Sequence, residues 1–178
     1  MYISIPFKKF NEENLSFRKK KKKEKDYIKI VYLENNIMIN DIYIESPAVL
    51  CKDKLQCYQS KMKNKFLLKL ICPKDFINKI LIIENKIQDY MVNNITSNRD
   101  YTSIIDRNNG NIININLFKD IYTGFNIYSD KNENDYYPVD NIDKNKRIKI
   151  TLAFNYIWIN DYNYGLSWRI ISMWEPDD

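Results

Sequence analysis

Residues 147–174, RIKITLAFNYIWINDYNYGLSWRIISMW, constrain the fold more than any other stretch of the chain. Period-two alternation puts Ile148, Ile150, Leu152, Phe154, Tyr156 and Trp158 on one face of a strand, opposite Arg147, Lys149, Thr151 and Asn155. Residues 160–165 form a turn cluster, and Gly165 offers a positive φ where the chain re-enters a strand. The returning strand alternates Leu166, Trp168, Ile170 and Trp174 against Ser167, Arg169, Ile171 and Met173. Folding the two strands about this turn sets Trp158 near Ser167, and Arg169 beside Tyr156 or Ile157. A two-stranded ribbon this apolar is not stable alone in water, so earlier strands must close onto it.

The earlier chain supplies them. A short edge strand reads over 2–10, and strands over 27–33 and 37–45 form a hairpin about the turn 34–36. Pro47 cannot donate to a ladder, so Ser46-Pro47 ends the second of these. Residues 51–64 read as an irregular loop, and 65–71 as a strand with Lys65 and Lys69 on one face. Phe76, Ile77, Ile80, Leu81, Glu84, Ile87, Gln88 and Met91 recur at spacings of three and four, which predicts an amphipathic helix over 73–93. Strands follow over 101–105, 112–118 and 121–128, then a polar loop over 129–145 that carries Tyr136 and Tyr137. The expectation is a mainly β domain with one helix packed against it.

The charge is concentrated in one place. Residues 18–25 hold Arg18, Lys19, Lys20, Lys21, Lys22, Lys23 and Lys25 against Glu24, more than the whole net charge of +5. Five consecutive lysines repel one another, so residues 1–26 read as a basic, mostly flexible arm. Residues 27–178 then form a single near-neutral domain ending in a short acidic tip.

Several chemistries are missing. With His 0 in the composition, His-based acid–base catalysis, His-activated nucleophiles and His metal ligation are excluded. Cys51, Cys57 and Cys72 lack CxxC spacing, and their odd number favours reduced, buried thiols. No phosphate-loop, dinucleotide, nucleophile-elbow or metalloprotease motif is present. The reading is therefore not an enzyme, with no cofactor and no metal. No apolar run reaches membrane-spanning length and no secretory signal is read, which points to the cytoplasm.

What the strands offer is aromatic and basic residues together. Single-strand binders need cations for phosphates and aromatic faces on which bases stack. The candidates for stacking are Tyr43, Tyr122, Tyr128, Tyr136, Tyr137, Tyr156, Trp158 and Trp168. Lys65, Lys69, Arg147, Lys149 and Arg169 are the candidates for phosphates, with Lys19–Lys23 adding charge from the arm.

The segments IYIESPAVL, KFLLKLIC, DFINKILIIENKIQDYMV and LAFNYIWINDYNYGLSWRIISM occur in that order over 42–173. Together they resemble the OB-fold single-stranded DNA-binding proteins of large cytoplasmic DNA viruses, phages and cytoplasmic linear plasmids. The resemblance implies an OB-like antiparallel barrel of five or slightly more strands. It also implies protection of displaced strands during replication of an AT-rich viral or plasmid genome, with polymerase or helicase as partners. Phage-type members carry a long acidic C-terminal tail, whereas here three carboxylates follow Trp174. Two other functions remain open: a virion or scaffold interaction domain, and an RNA-binding accessory subunit of a transcription or capping complex. Self-association is also open.

Overall fold

β-Branched and aromatic residues recur in alternating runs outside one stretch of helical period, and the architecture follows from that division. The computed structural model describes residues 4–22, 25–60, 63–95, 98–119, 125, 127–129, 135–139 and 142–176. The first strands in chain order are β1 (Ile5–Pro6), β2 (Leu15–Lys22), β3 (Lys25–Glu34), β4 (Ile37–Ile39), β5 (Ile42–Glu45), β6 (Val49–Cys51), β7 (Gln56–Ser60) and β8 (Lys63–Ile71). Helix α1 (Lys74–Asn94) follows. The remaining strands are β9 (Asp100–Thr102), β10 (Ile112–Lys119), β11 (Arg147–Phe154), β12 (Tyr156–Ile159), β13 (Asn163–Leu166) and β14 (Arg169–Trp174).

These strands form two sheets. The eight-stranded sheet runs β1-β5-β11-β6-β8-β10, with β14 also on β11 and β7 also on β8. The six-stranded sheet runs β2-β3-β12-β13-β9, with β4 added to β3. Only Asn155 separates β11 from β12, so one continuous run passes from the first sheet into the second. Among the described residues the strands pair as two open sheets, and no closed five-stranded ring is present.

One core lies between the inner faces of the sheets and α1. Ile148, Ile150, Leu152 and Phe154 enter it from the eight-stranded sheet, and Ile28, Ile30, Ile157 and Leu166 from the six-stranded one. From α1 come Phe76, Ile77, Ile80, Ile83, Ile87 and Met91. Stacking of Phe17 on Tyr90, at 4.4 Å between centroids, fixes β2 to α1. Lys79 ties the N-terminal turn to the helix, donating to Glu12 Oε2 at 2.8 Å and to the Phe10 carbonyl at 3.0 Å.

Several expectations need correction. Residues 15–22 are not a flexible arm. They form β2, paired antiparallel with β3 from Leu15↔Tyr32 to Lys22↔Lys25. Leu15 and Phe17 supply the reason, since both turn toward the core and anchor the strand. The strand expected over 37–45 is two strands in different sheets, because the chain breaks at Asn40-Asp41. The loop over 51–64 contains β7, paired with β8. Much of the strand expected over 121–128 lies outside the described residues. Its end, Tyr128, bridges Ser172 and Tyr136.

The final hairpin shows the largest departure. Alternation does not run through Asn155 unbroken. Phe154 is buried in the first sheet, Ile157 in the second, and Tyr156 and Trp158 consequently face outward. A shift in register between Thr151 and Leu152 does the same on the return strand, so Met173 and not Trp174 points inward. Trp158 pairs with Gly165, and Arg169 with Ala153 instead of Tyr156. The bend is held by Ser167, whose N–H donates to the Tyr156 carbonyl at 3.1 Å and whose Oγ accepts from Tyr156 N–H at 3.3 Å.

Candidate nucleic-acid interface

The outer face of the six-stranded sheet is built by pairing. Arg18 sits opposite Lys29, and Lys29 opposite Tyr156. Lys20 sits opposite Tyr27, two residues along the same strands and therefore on the same side. Trp158 shares that side with Tyr156, its partner on β13 being Gly165. Arg18 and Lys20 are exposed, Tyr156 is 43% exposed, and Tyr27, Lys29 and Trp158 are half-buried. Cations on β2 and β3 thus lie beside aromatic rings on β3 and β12.

Gly165 has a different role from the turn residue that the sequence suggests. It lies inside β13, and a Cβ there would meet Trp158 Cζ2 at 2.6 Å and the Thr102 carbonyl oxygen at 2.9 Å. The indole therefore lies against the glycine backbone, which permits the close approach. The turn itself falls at Asn160, whose Oδ1 accepts from Tyr162 N–H and Asn163 N–H at 2.9 and 2.7 Å.

The other predicted residues divide among three places. Lys65 and Lys69 on β8, Arg147 and Lys149 on β11, Tyr43 on β5 and Arg169 on β14 share the outer face of the eight-stranded sheet. Tyr128 and Tyr136 stack on each other at 5.3 Å and 19°. Two candidates pack inward, one in the core and one half-buried against it. Tyr137 is buried at 7% exposure, and Trp168 packs against Phe154 at 4.8 Å between centroids. Lys19 and Lys20 are exposed on β2, and Lys21 and Lys22 continue that strand. Tyr122 and Lys23 lie outside the described residues. Arg18, Tyr27 and Lys29 were missed, although the alternation of Tyr27 and Lys29 against Ile28 and Ile30 marks their face.

A second polar locus lies behind β9. Glu84, in the middle of α1, is 2% exposed and the sole acidic residue buried to this extent among the described residues. Its carboxylate accepts from Ser103 Oγ at 2.5 Å and from Ile104 N–H at 3.2 Å. Burial raises its pKa, opposed by those two hydrogen bonds and by the nearby Tyr101 hydroxyl and Trp168 indole N–H. The Tyr101 hydroxyl and the Trp168 Nε1 are themselves buried and have no closer hydrogen-bond partner than this carboxylate. Burial and the Glu84 charge both push the Tyr101 pKa up.

The two described free cysteines lie in neither locus, and neither is activated. Burial pushes the Cys51 thiol up to about 11 and the Cys72 thiol up to about 12. No cluster of three metal-ligating side chains occurs among the described residues, and no described helix is long and apolar enough to cross a membrane. Compared with protein-family models, with curated proteins and with solved structures, the chain matches none.

Proposed function

We propose that this protein binds single-stranded DNA with little sequence preference, on the outer face of its six-stranded sheet. The observation that carries the reading is the cross-strand row Arg18–Lys29–Tyr156, flanked on the same face by Lys20, Tyr27 and Trp158. Cations beside open aromatic faces suit a strand whose bases are free to stack, at about 1–3 kcal/mol per base. A duplex hides those base faces and offers this surface only its phosphates. On the eight-stranded sheet the cations of β8 and β11 are separated by β6, and Trp174 opposite Lys149 is half-buried, so this face extends the positive surface with fewer open rings.

The OB-like reading rests on the passage of β11–β12 from one sheet to the other, the corner device of small curved β-structures. In this account the protein catalyses no reaction. It shields displaced strands during replication of an AT-rich viral or plasmid genome in the cytoplasm, alongside a polymerase or helicase.

Replacing Arg18 and Lys29 by Glu tests the reading. Binding of oligo(dT) at moderate salt should be lost while the thermal midpoint moves little. Replacing Lys149 and Arg169 by Glu should weaken binding less, because that pair lies on the other sheet. Normal binding by the Arg18/Lys29 variant would remove this face from the interface.

A further inference from the structure

The bend at Asn155 leaves the outer faces of the two sheets continuous. Leu152 and Phe154 enter the core before it and Ile157 after it, so Ala153, Tyr156 and Trp158 lie on one outer side. Arg169 is exposed on β14 and sits opposite Ala153. Tyr156 and Arg169 therefore flank the bend on a single surface.

Beyond β14 that surface continues over two short segments. The Tyr128 N–H donates to the Ile171 carbonyl, and its own carbonyl accepts from Met173 N–H, both at 2.9 Å. Residues 127–129 pair in turn with 135–137, through Tyr137 N–H to the Ile127 carbonyl and Ser129 N–H to the Asp135 carbonyl, both at 2.7 Å. Directly paired residues share a face, so Thr151, Ser172, Tyr128 and Tyr136 form one row across the outer surface. Their neighbours Ile127 and Tyr137 go into the core, while Tyr128 and Tyr136 turn away from it. Tyr128 backs one side of the Tyr136 ring at 5.3 Å and 19°, and Tyr136 remains 53% exposed. A ring held in place by a second ring is a preorganised stacking surface, because little side-chain freedom is left to lose when a base adds to it. Glu45, the acidic partner of Thr151, lies on β5, across β11 from the tyrosines.

We propose that a single strand bound on the six-stranded sheet crosses the bend at Asn155, passes a phosphate beside Arg169 and seats a further base on Tyr136. This rests on the strand-binding reading above and extends it to the second sheet. From a rise of ~3.3 Å per residue and a strand spacing of ~4.8 Å, Tyr136 lies about 20 Å from Tyr156. At the ~3.4 Å per nucleotide of a stacked strand, about six nucleotides join the two rings.

Photocrosslinking of the full chain tests the crossing, with oligo(dT) of about twelve nucleotides, a length within the range of such sites. One 5-iododeoxyuridine is placed at each position in turn, and the crosslinked residues are mapped by mass spectrometry. Crosslinks should form at Tyr136 as well as at Tyr156 or Trp158, from nucleotides well separated along the strand. Tyr136→Ala should weaken binding about tenfold, Tyr136→Phe should bind normally, and the thermal midpoint should move little in either. Crosslinks confined to the six-stranded sheet, or full affinity in Tyr136→Ala, would overturn the crossing and leave the strand-binding face standing. Absence of oligo(dT) binding would overturn both. The crosslink map of the unaltered protein decides the matter even if a variant fails to fold.

Discussion

Trp158 and Trp168 belong to one hairpin and have opposite surroundings. Trp158 lies on an outer face against Gly165, whereas Trp168 packs on Phe154 with its indole N–H near Glu84. Replacing Trp158 by Ala should cost about 1–3 kcal/mol of single-strand binding with little loss of stability. Trp168→Ala should instead destabilise the fold, by up to about 3–5 kcal/mol for a large aromatic removed from the core. Denaturant unfolding and oligo(dT) titration of both variants check the pair. Two carboxyls also act in opposite directions with pH. The Glu12 pKa is lowered, first by its hydrogen bond from Lys79, so its contribution is present above the ordinary value of 4.5 and is lost as pH falls through the folded value. The Glu84 pKa is raised by burial, so in the window above 4.5 the unfolded state loses its proton first. Stability from Glu84 therefore falls as pH rises through that window, up to the raised folded value. Glu84→Gln should flatten this fall, and thermal midpoints measured from pH 4 to pH 8 would show it.

The basic hairpin of β2 and β3 is the element whose character changed most between sequence and structure. Charge density over residues 18–25 suggests a solvated arm, but Leu15 and Phe17 reach the core and carry the lysines into a paired strand. Deleting residues 1–24 should therefore lower the thermal midpoint, because it strips β2 from β3 and removes the Phe17–Tyr90 contact. Exchanging Arg18 and Lys20 for Gln should keep the midpoint and flatten the salt dependence by about 0.7 in log K per log salt for each lost phosphate contact. A deletion variant that unfolds at the same temperature as the intact chain would contradict this placement. The helix was legible from its period of three and four, and the end of β5 from Ser46-Pro47, because each is fixed locally. The bend at Asn155 and the register shift at Thr151/Leu152 are set by which sheet each half-strand joins, and strict alternation carries no record of that choice. Hence Tyr156 and Trp158 read as sharing one face with Phe154, whereas Phe154 is buried and they face outward. Glu84 was visible as a polar break in the stripe, but its partners come from Ser103 and Ile104, which no local pattern links to the helix.

At the scale of the molecule, a near-neutral body holds a positive, ring-bearing face on one sheet and a polar cavity behind that sheet's edge strand. The account requires the face to contact bases as well as phosphates, and the position of Trp158 supplies an intrinsic probe. The direct test is tryptophan emission during titration with oligo(dT) and with a duplex of equal length, on the intact protein and on Trp158→Phe. The account predicts strong quenching by oligo(dT), little by the duplex, and loss of most of the quenching in Trp158→Phe while binding persists. Quenching that survives in Trp158→Phe, or absence of binding to oligo(dT) at low salt, would contradict it.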